Sequence, residues 1–243
     1  GISLLDVVGK ALAGVIQLRL QSLAKEFLPE SQCGFRRGRS CSDMIFTIRQ
    51  LLEKTVEHQT KGFFVFIDLR KAYDSVPREC LWQVLARAGV PSPMLAVIKS
   101  FHTSMAAVLR MSGTTVDPFS VHNGLRQGCS MAPVLFNIFM WAVVSRWQQR
   151  VSGVPGIGFS FSHNSDTGNL YRKSHRTDPV TTATEAQFAD DSALFATSRA
   201  GAEVALTTFD NTASEFGLAV VPQRPSFWLL VLMCLLLTAY PSV

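Results

Sequence analysis

Residues 187–197 read QFADDSALFAT, and residues 63–68 read FFVFID. In the first stretch two short apolar runs are hinged at Asp190-Asp191, which predicts a β-hairpin with carboxylates at its tip. In the second an unbroken, aromatic-rich run between Gly62 and Asp68 predicts a buried strand whose far end carries a carboxylate. Three carboxylates at strand ends can converge, and converged carboxylates without neutralising bases attract hard cations such as Mg²⁺. Two such ions about 4 Å apart would lower the barrier for in-line attack of a hydroxyl on a phosphate. Asp is also a favoured turn residue, so an Asp-Asp pair taken alone reads first as a turn.

Outward from these stretches, Leu5, Val8, Leu12, Ile16, Leu20, Leu23 and Phe27 recur at spacings of three and four, which predicts an amphipathic helix ending near Pro29. QCGFRRGRSCSD (32–43) is a basic loop, and Met44–Val56 suits a second helix. Pro77 and Gly89 bracket another helix, and Ser92-Pro93 opens one that runs to about Ser104. Ala106–Met111 and Thr114–Val121 flank Ser112-Gly113 as a hairpin would. Leu135, Ile138, Phe139, Ala142 and Val143 give one helical face, residues 151–183 read as a long surface insertion, and Ala202–Phe216 reads as a helix closed by Gly217. The order of elements predicts an α+β fold, an antiparallel sheet with helices on one face.

Composition narrows the function little. Lys and Arg total 23 against 18 Asp and Glu, a net charge of +5 that mildly favours a polyanionic partner. The five cysteines form no Cys-x-x-Cys pair or Cys/His ladder, which excludes an evident zinc site or disulfide framework and fits an intracellular protein. The chain opens on Gly1 without a basic stretch and apolar run, so no secretory signal is expected. Phe227–Tyr240 is an uncharged apolar run of 14 residues. As a helix it would reach about 21 Å against a hydrocarbon core of roughly 30 Å, so no stable membrane association is expected.

FIDLRKAYDSV (66–76), NGLRQGCSMAPVLFNIF (123–139) and QFADDSALFATS (187–198), in this order, resemble the three principal palm motifs of reverse transcriptases. ISLLDVVGKALAGVIQLRL and SQCGFRRGRSCSDMIFTIRQLL are similar to fingers segments of the non-LTR (LINE-type) retrotransposon members, and PRECLWQVLARAGVP to the helix after their first aspartate motif. The resemblance covers about residues 1–220. It implies an RNA-directed DNA polymerase that adds dNTPs to the 3′-hydroxyl of a DNA primer on an RNA template by two-metal catalysis, with two Mg²⁺ ions or Mn²⁺ in their place. It further implies that Asp68, Asp190 and Asp191 are catalytic metal ligands and that the Leu69 carbonyl assists the nucleotide-side ion. Tyr73 falls where the family keeps an aromatic ring under the incoming sugar, against a ribose 2′-hydroxyl; a half-buried core tyrosine is the plainer reading. Gln127 and Gly128 match the loop along the template and the new base pair. Asp74 is expected to cap the following turn, and Gly124 receives no role. Arg36, Arg37 and Arg39 are candidates for nucleic-acid phosphates, against the alternative of a solvated charged loop. Arg172, Lys173, His175 and Arg176 form a second basic cluster of the same ambiguity.

The expected organisation is partial fingers over 1–60, a palm over 61–220 with its insertion, and a non-homologous apolar tail over 221–243. After EFGLAV (215–220) the family continues into a Lys-Thr segment and a thumb, whereas this chain reads VVPQRPSFWLLVLMCLLL. A truncated copy without thumb is therefore expected, and the alternative to an active enzyme is an inactive remnant that at most binds nucleic acid. Group II intron maturases and RNA-directed RNA polymerases also use such a palm, but the fingers segments point away from both. Action in the nucleus, after synthesis in the cytoplasm, is inferred only from the family.

Overall fold

The computed structural model describes residues 5–108, 110–111, 114–115, 117–162 and 180–221. In chain order the elements are α1 (Val7–Ala24), α2 (Cys41–Glu57), β1 (Phe63–Ile67), α3 (Ala72–Ser75), α4 (Arg78–Arg87) and α5 (Ser92–Ser100). Four two-residue strands follow, β2 (Ala106–Ala107), β3 (Arg110–Met111), β4 (Thr114–Thr115) and β5 (Phe119–Ser120). Then come α6 (Ala132–Val151), β6 (Phe159–Ser162), β7 (Val180–Ala183), β8 (Glu185–Phe188), β9 (Asp191–Ala196) and α7 (Arg199–Glu215). Several helix starts carry sequence-coded caps. The Asp6 carboxylate accepts from Gly9 N–H, the Asp43 carboxylate from Ser40 N–H, and the Ser198 hydroxyl from Gly201 N–H.

β1, β9 and β8 form a three-stranded antiparallel sheet in that order, with Ile67 opposite Ser192 and Phe188 opposite Asp191. Because side chains alternate across a strand, Ile67 and Leu194 face one side, where α6 and α7 build the main core. Phe64, Ala193 and Phe195 face the other side, which is not bare: Met44 and Leu51 of α2 cover it together with Phe159. The rings of Phe64 and Phe195 meet edge-on at 5.4 Å. Phe66, inside the run that reads as a fully buried strand, is 41% exposed.

α6 is the spine of the molecule. Besides Leu135, Ile138, Phe139 and Val143, it buries Phe136, Met140, Val144 and Trp147, because α1, α4 and α7 wrap it from several sides. A helix enclosed on all sides hides its stripe, so the periodicity shows only part of its buried surface. The Trp147 indole N–H donates to the Ala205 carbonyl at 3.0 Å, tying α6 to α7. Loss of a ring so enclosed costs about 3–5 kcal/mol.

Other sequence expectations need correction. In α1 the buried positions are Ala13, Ile16, Leu20 and Ala24, whereas Val8 and Leu12 are 78% and 45% exposed, because the buried face runs through Ala13 rather than Leu12. The expected hairpin after α5 exists as two short ladders, β2 with β5 and β3 with β4. Within the expected insertion, β6 pairs with β7 and Phe159 packs under the sheet. The second basic cluster and the apolar run after residue 226 lie outside the described residues. Among the described residues no helix is long and apolar enough to cross a membrane, and Cys33, Cys41, Cys80 and Cys129 are free thiols.

A polar knot closes the far end of the core. The buried Arg78 guanidinium donates to the carbonyls of Gly124, His102, Val121 and Asn123 at 2.8–3.2 Å. A carbonyl can only accept, so His102 Nδ1 must carry the proton it gives to Ile98 at 2.9 Å, and its buried Nε2 has no partner among the described residues. Burial lowers the pKa of His102 from its ordinary value, outweighing the Ile98 bond, with Arg78 and Arg126 adding to the effect. A depressed folded pKa means that stability is full above the ordinary histidine range and is lost as pH falls through the folded value. Thermal melts of the chain should therefore fall as pH drops below about 6.5, and a His102→Gln variant should lose much of that slope.

Candidate active site

The sheet register delivers the carboxylates. Asp68 follows Ile67, and Asp191 precedes Ser192, its partner, so the two aspartates lie side by side at one end of the sheet. Asp190 sits next to them in the two-residue connection Ala189-Asp190. Ala189 holds φ +59°, a left-handed conformation that a residue with a Cβ adopts only when its surroundings impose it.

Here the surroundings are the basic loop. Gln32 Oε1 accepts from Ala189 N–H at 3.1 Å and from Gly34 N–H at 2.8 Å, while its Nε2 donates to Gln187 Oε1 at 3.1 Å. Cys33 N–H to the Gln187 carbonyl and Gln187 N–H to the Ser31 carbonyl dock the loop along β8. Gly34 packs so closely on the turn that a Cβ there would lie 2.3 Å from Ala189 N. Asn137 of α6 completes the brace by donating to the Gly34 carbonyl at 2.7 Å. Gln32 and Asn137 went unnoticed in the sequence; only the adjacency of Gln32 to the Gly-Phe-Arg stretch could have marked it.

Asp68 is held from the other side. Val221 N–H donates to the Asp68 carbonyl and Arg70 N–H to the Ala219 carbonyl, both at 2.8 Å, around a bridge between Leu69 and Val220. The segment EFGLAV thus serves as a strap for the carboxylate that it follows by nearly 150 residues in sequence.

Burial raises the pKa of Asp191, and the charges of Asp190 and Asp68 add to it. The three carboxylates are thus near enough to repel one another. Among the described residues no group of three His, Cys, Asp or Glu is yet gathered at ligand distances. Hard oxygen donors carrying negative charge are the right chemistry for a divalent cation.

Tyr73 joins this end of the sheet to a pocket. Its ring stacks on Phe136 at 4.4 Å and 16°, its buried hydroxyl has no partner among the described residues, and burial, with the Asp190 charge second, raises its pKa. The pocket, about 650 Å³, is lined by Tyr73, Gln127, Gly128, Phe35, Lys10 and the first turn of α6 with Pro133. Gln127 and Gly128 reach it because their loop is zipped to the Tyr73 turn, Leu125 N–H to the Tyr73 carbonyl and Gly124 N–H to the Val76 carbonyl, both at 2.9 Å. Asp74 does not cap the turn with its side chain; its Oδ1 accepts from Gln127 Nε2 at 2.8 Å.

The three arginines separate. Arg36 donates to the Pro29 and Gln32 carbonyls and pairs with Glu30, and Arg39 pairs with Glu30 as well. Arg36 is thereby a brace of the loop, whereas Arg37 is exposed and lines a second pocket of about 370 Å³ with Lys25, Phe35 and Asn137.

A three-stranded antiparallel sheet carrying aspartates on adjacent strands, backed by a buried helix and overlain by a basic loop, is the arrangement of a polymerase palm with part of its fingers. The telomerase of Candida albicans, solved with a fragment of telomeric RNA, superposes with a TM-score of 0.59 at 13% identity, covering 90% of this chain and 35% of that one. Residues 1–229 match the family described as reverse transcriptase (RNA-dependent DNA polymerase), and the chain belongs to that family. Two curated relatives are similar: the uncharacterized 149 kDa protein of transposon TX1 from Xenopus laevis, 26% identical over 63% of this chain, and the probable RNA-directed DNA polymerase from transposon BS of Drosophila melanogaster, 27% identical over 57%. The chain spans 12% and 15% of their respective lengths. The expected likeness to reverse transcriptases of non-LTR retrotransposons holds.

The brace makes a stability prediction. Gly34→Ala should lower the melting temperature by several degrees, on the order of 1–3 kcal/mol, and the loss should appear as weakened hydrogen-exchange protection at Ala189 rather than throughout α6.

Proposed function

We propose that this site is an RNA-directed DNA polymerase centre that extends a DNA primer on an RNA template with dNTPs. The observation that carries the reading is the junction at Tyr73: its phenol feels the Asp190 charge on one side, and on the other its ring shares a pocket with Gln127 and Gly128. Carboxylates and nucleotide pocket are therefore parts of one site. The family uses divalent metal ions, and Asp68, Asp190 and Asp191, with the Leu69 carbonyl, would hold two Mg²⁺. The ions, when bound, supply charge that activates the primer hydroxyl and steadies the triphosphate.

The chain's own residues do the rest. Tyr73, stacked on Phe136, is a fixed floor under the incoming sugar, and a ribose 2′-hydroxyl would have to displace the pair of rings. Gln127 and Gly128 line the pocket where the new base pair forms. Lys10 is the pocket's cationic side chain and offers its ammonium to the triphosphate. Arg37, exposed beside the second pocket, is available to template phosphates, which would make binding salt-dependent without sequence choice.

The unassembled carboxylates favour one competing reading, a remnant that binds nucleic acid without catalysis. Primer extension with Mg²⁺ and dNTPs separates the two. The polymerase reading predicts extension that falls by at least about a thousandfold, some 4 kcal/mol, in Asp190→Ala/Asp191→Ala; no extension by the folded wild type would sustain the remnant. In the same assay Tyr73→Ala should raise NTP relative to dNTP use by about tenfold or more, while Tyr73→Phe, which keeps the ring, should leave the preference in place.

A further inference from the structure

Asp74 belongs to the aspartate motif, yet neither the metal chemistry nor the sugar contact accounts for it. Its backbone is fixed in α3 by a hydrogen bond from its N–H to the Lys71 carbonyl at 2.9 Å, so its side chain is not needed to close that turn. The side chain instead crosses to the other motif loop and accepts from Gln127 Nε2 at 2.8 Å, over a sequence separation of 53 residues.

The two loops cannot drift apart. Gly124 and Leu125 donate their N–H groups to Val76 and Tyr73, and Arg78 holds the Gly124 and Asn123 carbonyls from the far side. Gly124 is at φ +86°, and a Cβ there would lie 2.8 Å from the Asp74 carbonyl oxygen, so glycine is required for this approach. Backbone and side-chain bonds thus register the Tyr73 turn against the Gln127 loop.

We propose that Asp74 is a positioning residue that sets the orientation of the Gln127 amide in the nucleotide pocket. The chemistry is directional. An ionised carboxylate only accepts, so the amide nitrogen must face Asp74, and the carbonyl oxygen Oε1 is the atom left to the pocket. Gln127 is thereby an acceptor for a hydroxyl or amino hydrogen of the incoming nucleotide or its base pair. Freed from Asp74 the amide would rotate, present donor or acceptor alike, and lose this discrimination and the order that goes with it. The role in nucleotide binding rests on the polymerase reading, but the contact itself does not.

Two measurements on the full chain test the proposal. The side-chain amide of Gln127, assigned in a ¹⁵N spectrum by its disappearance in Gln127→Ala, should shift in Asp74→Ala and stay near its wild-type position in Asp74→Asn, which keeps an acceptor oxygen. In primer extension, Asp74→Ala and Gln127→Ala should each raise the KM for dNTP by roughly three- to tenfold with a smaller change in kcat. The double variant should be no worse than Gln127→Ala alone, and Asp74→Asn should recover most of the loss. An unmoved Gln127 resonance in Asp74→Ala would overturn the proposal whether or not the chain polymerises; so would additive losses in the double variant. A moved resonance in a chain that extends no primer would keep the contact and count against the polymerase reading instead.

Discussion

The pairing of Ile67 with Ser192 is the constraint on which the site depends. A side-chain period of two leaves no intermediate register: a slip of one residue would turn Asp191 and every apolar side chain of β9 to the opposite face. The register is enforced by what each face buries. Leu194 must meet the α6/α7 core while Ala193 and Phe195 meet Phe64, Met44 and Leu51, and a one-residue slip satisfies neither. Packing energy on two faces thus fixes the separation of carboxylates that would otherwise drive themselves apart.

The remaining parts are attached to this sheet by hydrogen bonds as well as by buried apolar side chains such as Leu125, Leu218 and Cys33. Gln32 braces the hairpin turn, Val221 straps Asp68, and the Gly124–Leu125 zip brings Gln127 to Tyr73. Each attachment joins segments distant in sequence, and each ends within a residue or two of a proposed functional group. Such a site is built on rigid elements with the loops pinned to them, which is what a reaction that relies on positioning requires. Repulsion among the aspartates remains, and protonation of Asp191, whose pKa is raised, or a bound cation would relieve it.

Much of this was legible in the sequence because it is local. The hairpin at Asp190-Asp191, the strand before Asp68 and the Leu135, Ile138, Phe139 and Val143 face of α6 follow from short-range patterning and turn chemistry. The convergence of Tyr73, Gln127 and Gly128 was legible only through motif resemblance, since no local pattern relates positions more than fifty residues apart. The exposure of Val8 and Leu12 was misjudged because the buried face of α1 runs through Ala13, Ile16, Leu20 and Ala24, and a small alanine at a core contact does not stand out in a reading of large apolar residues. Gln32, Asn137 and the Asp74–Gln127 bond were invisible for a different reason: each is a polar side chain whose partner is chosen by tertiary approach, and a lone Gln, Asn or Asp in a loop looks the same with or without one. The arginines show the same limit, since Glu30 claims Arg36 and Arg39 but leaves Arg37 exposed.

Carboxylates from Asp68 and from the β8–β9 hairpin are proposed to form one cation site. Titration of Mn²⁺ into the chain, followed by the loss of its free-ion electron paramagnetic resonance signal, tests this most directly. Saturable binding is expected, and it should be lost both in Asp68→Asn and in Asp190→Asn, because either strand alone supplies too few ligands. Binding that survives in both variants would contradict it, and would mean that the aspartates share an edge of the sheet without sharing an ion.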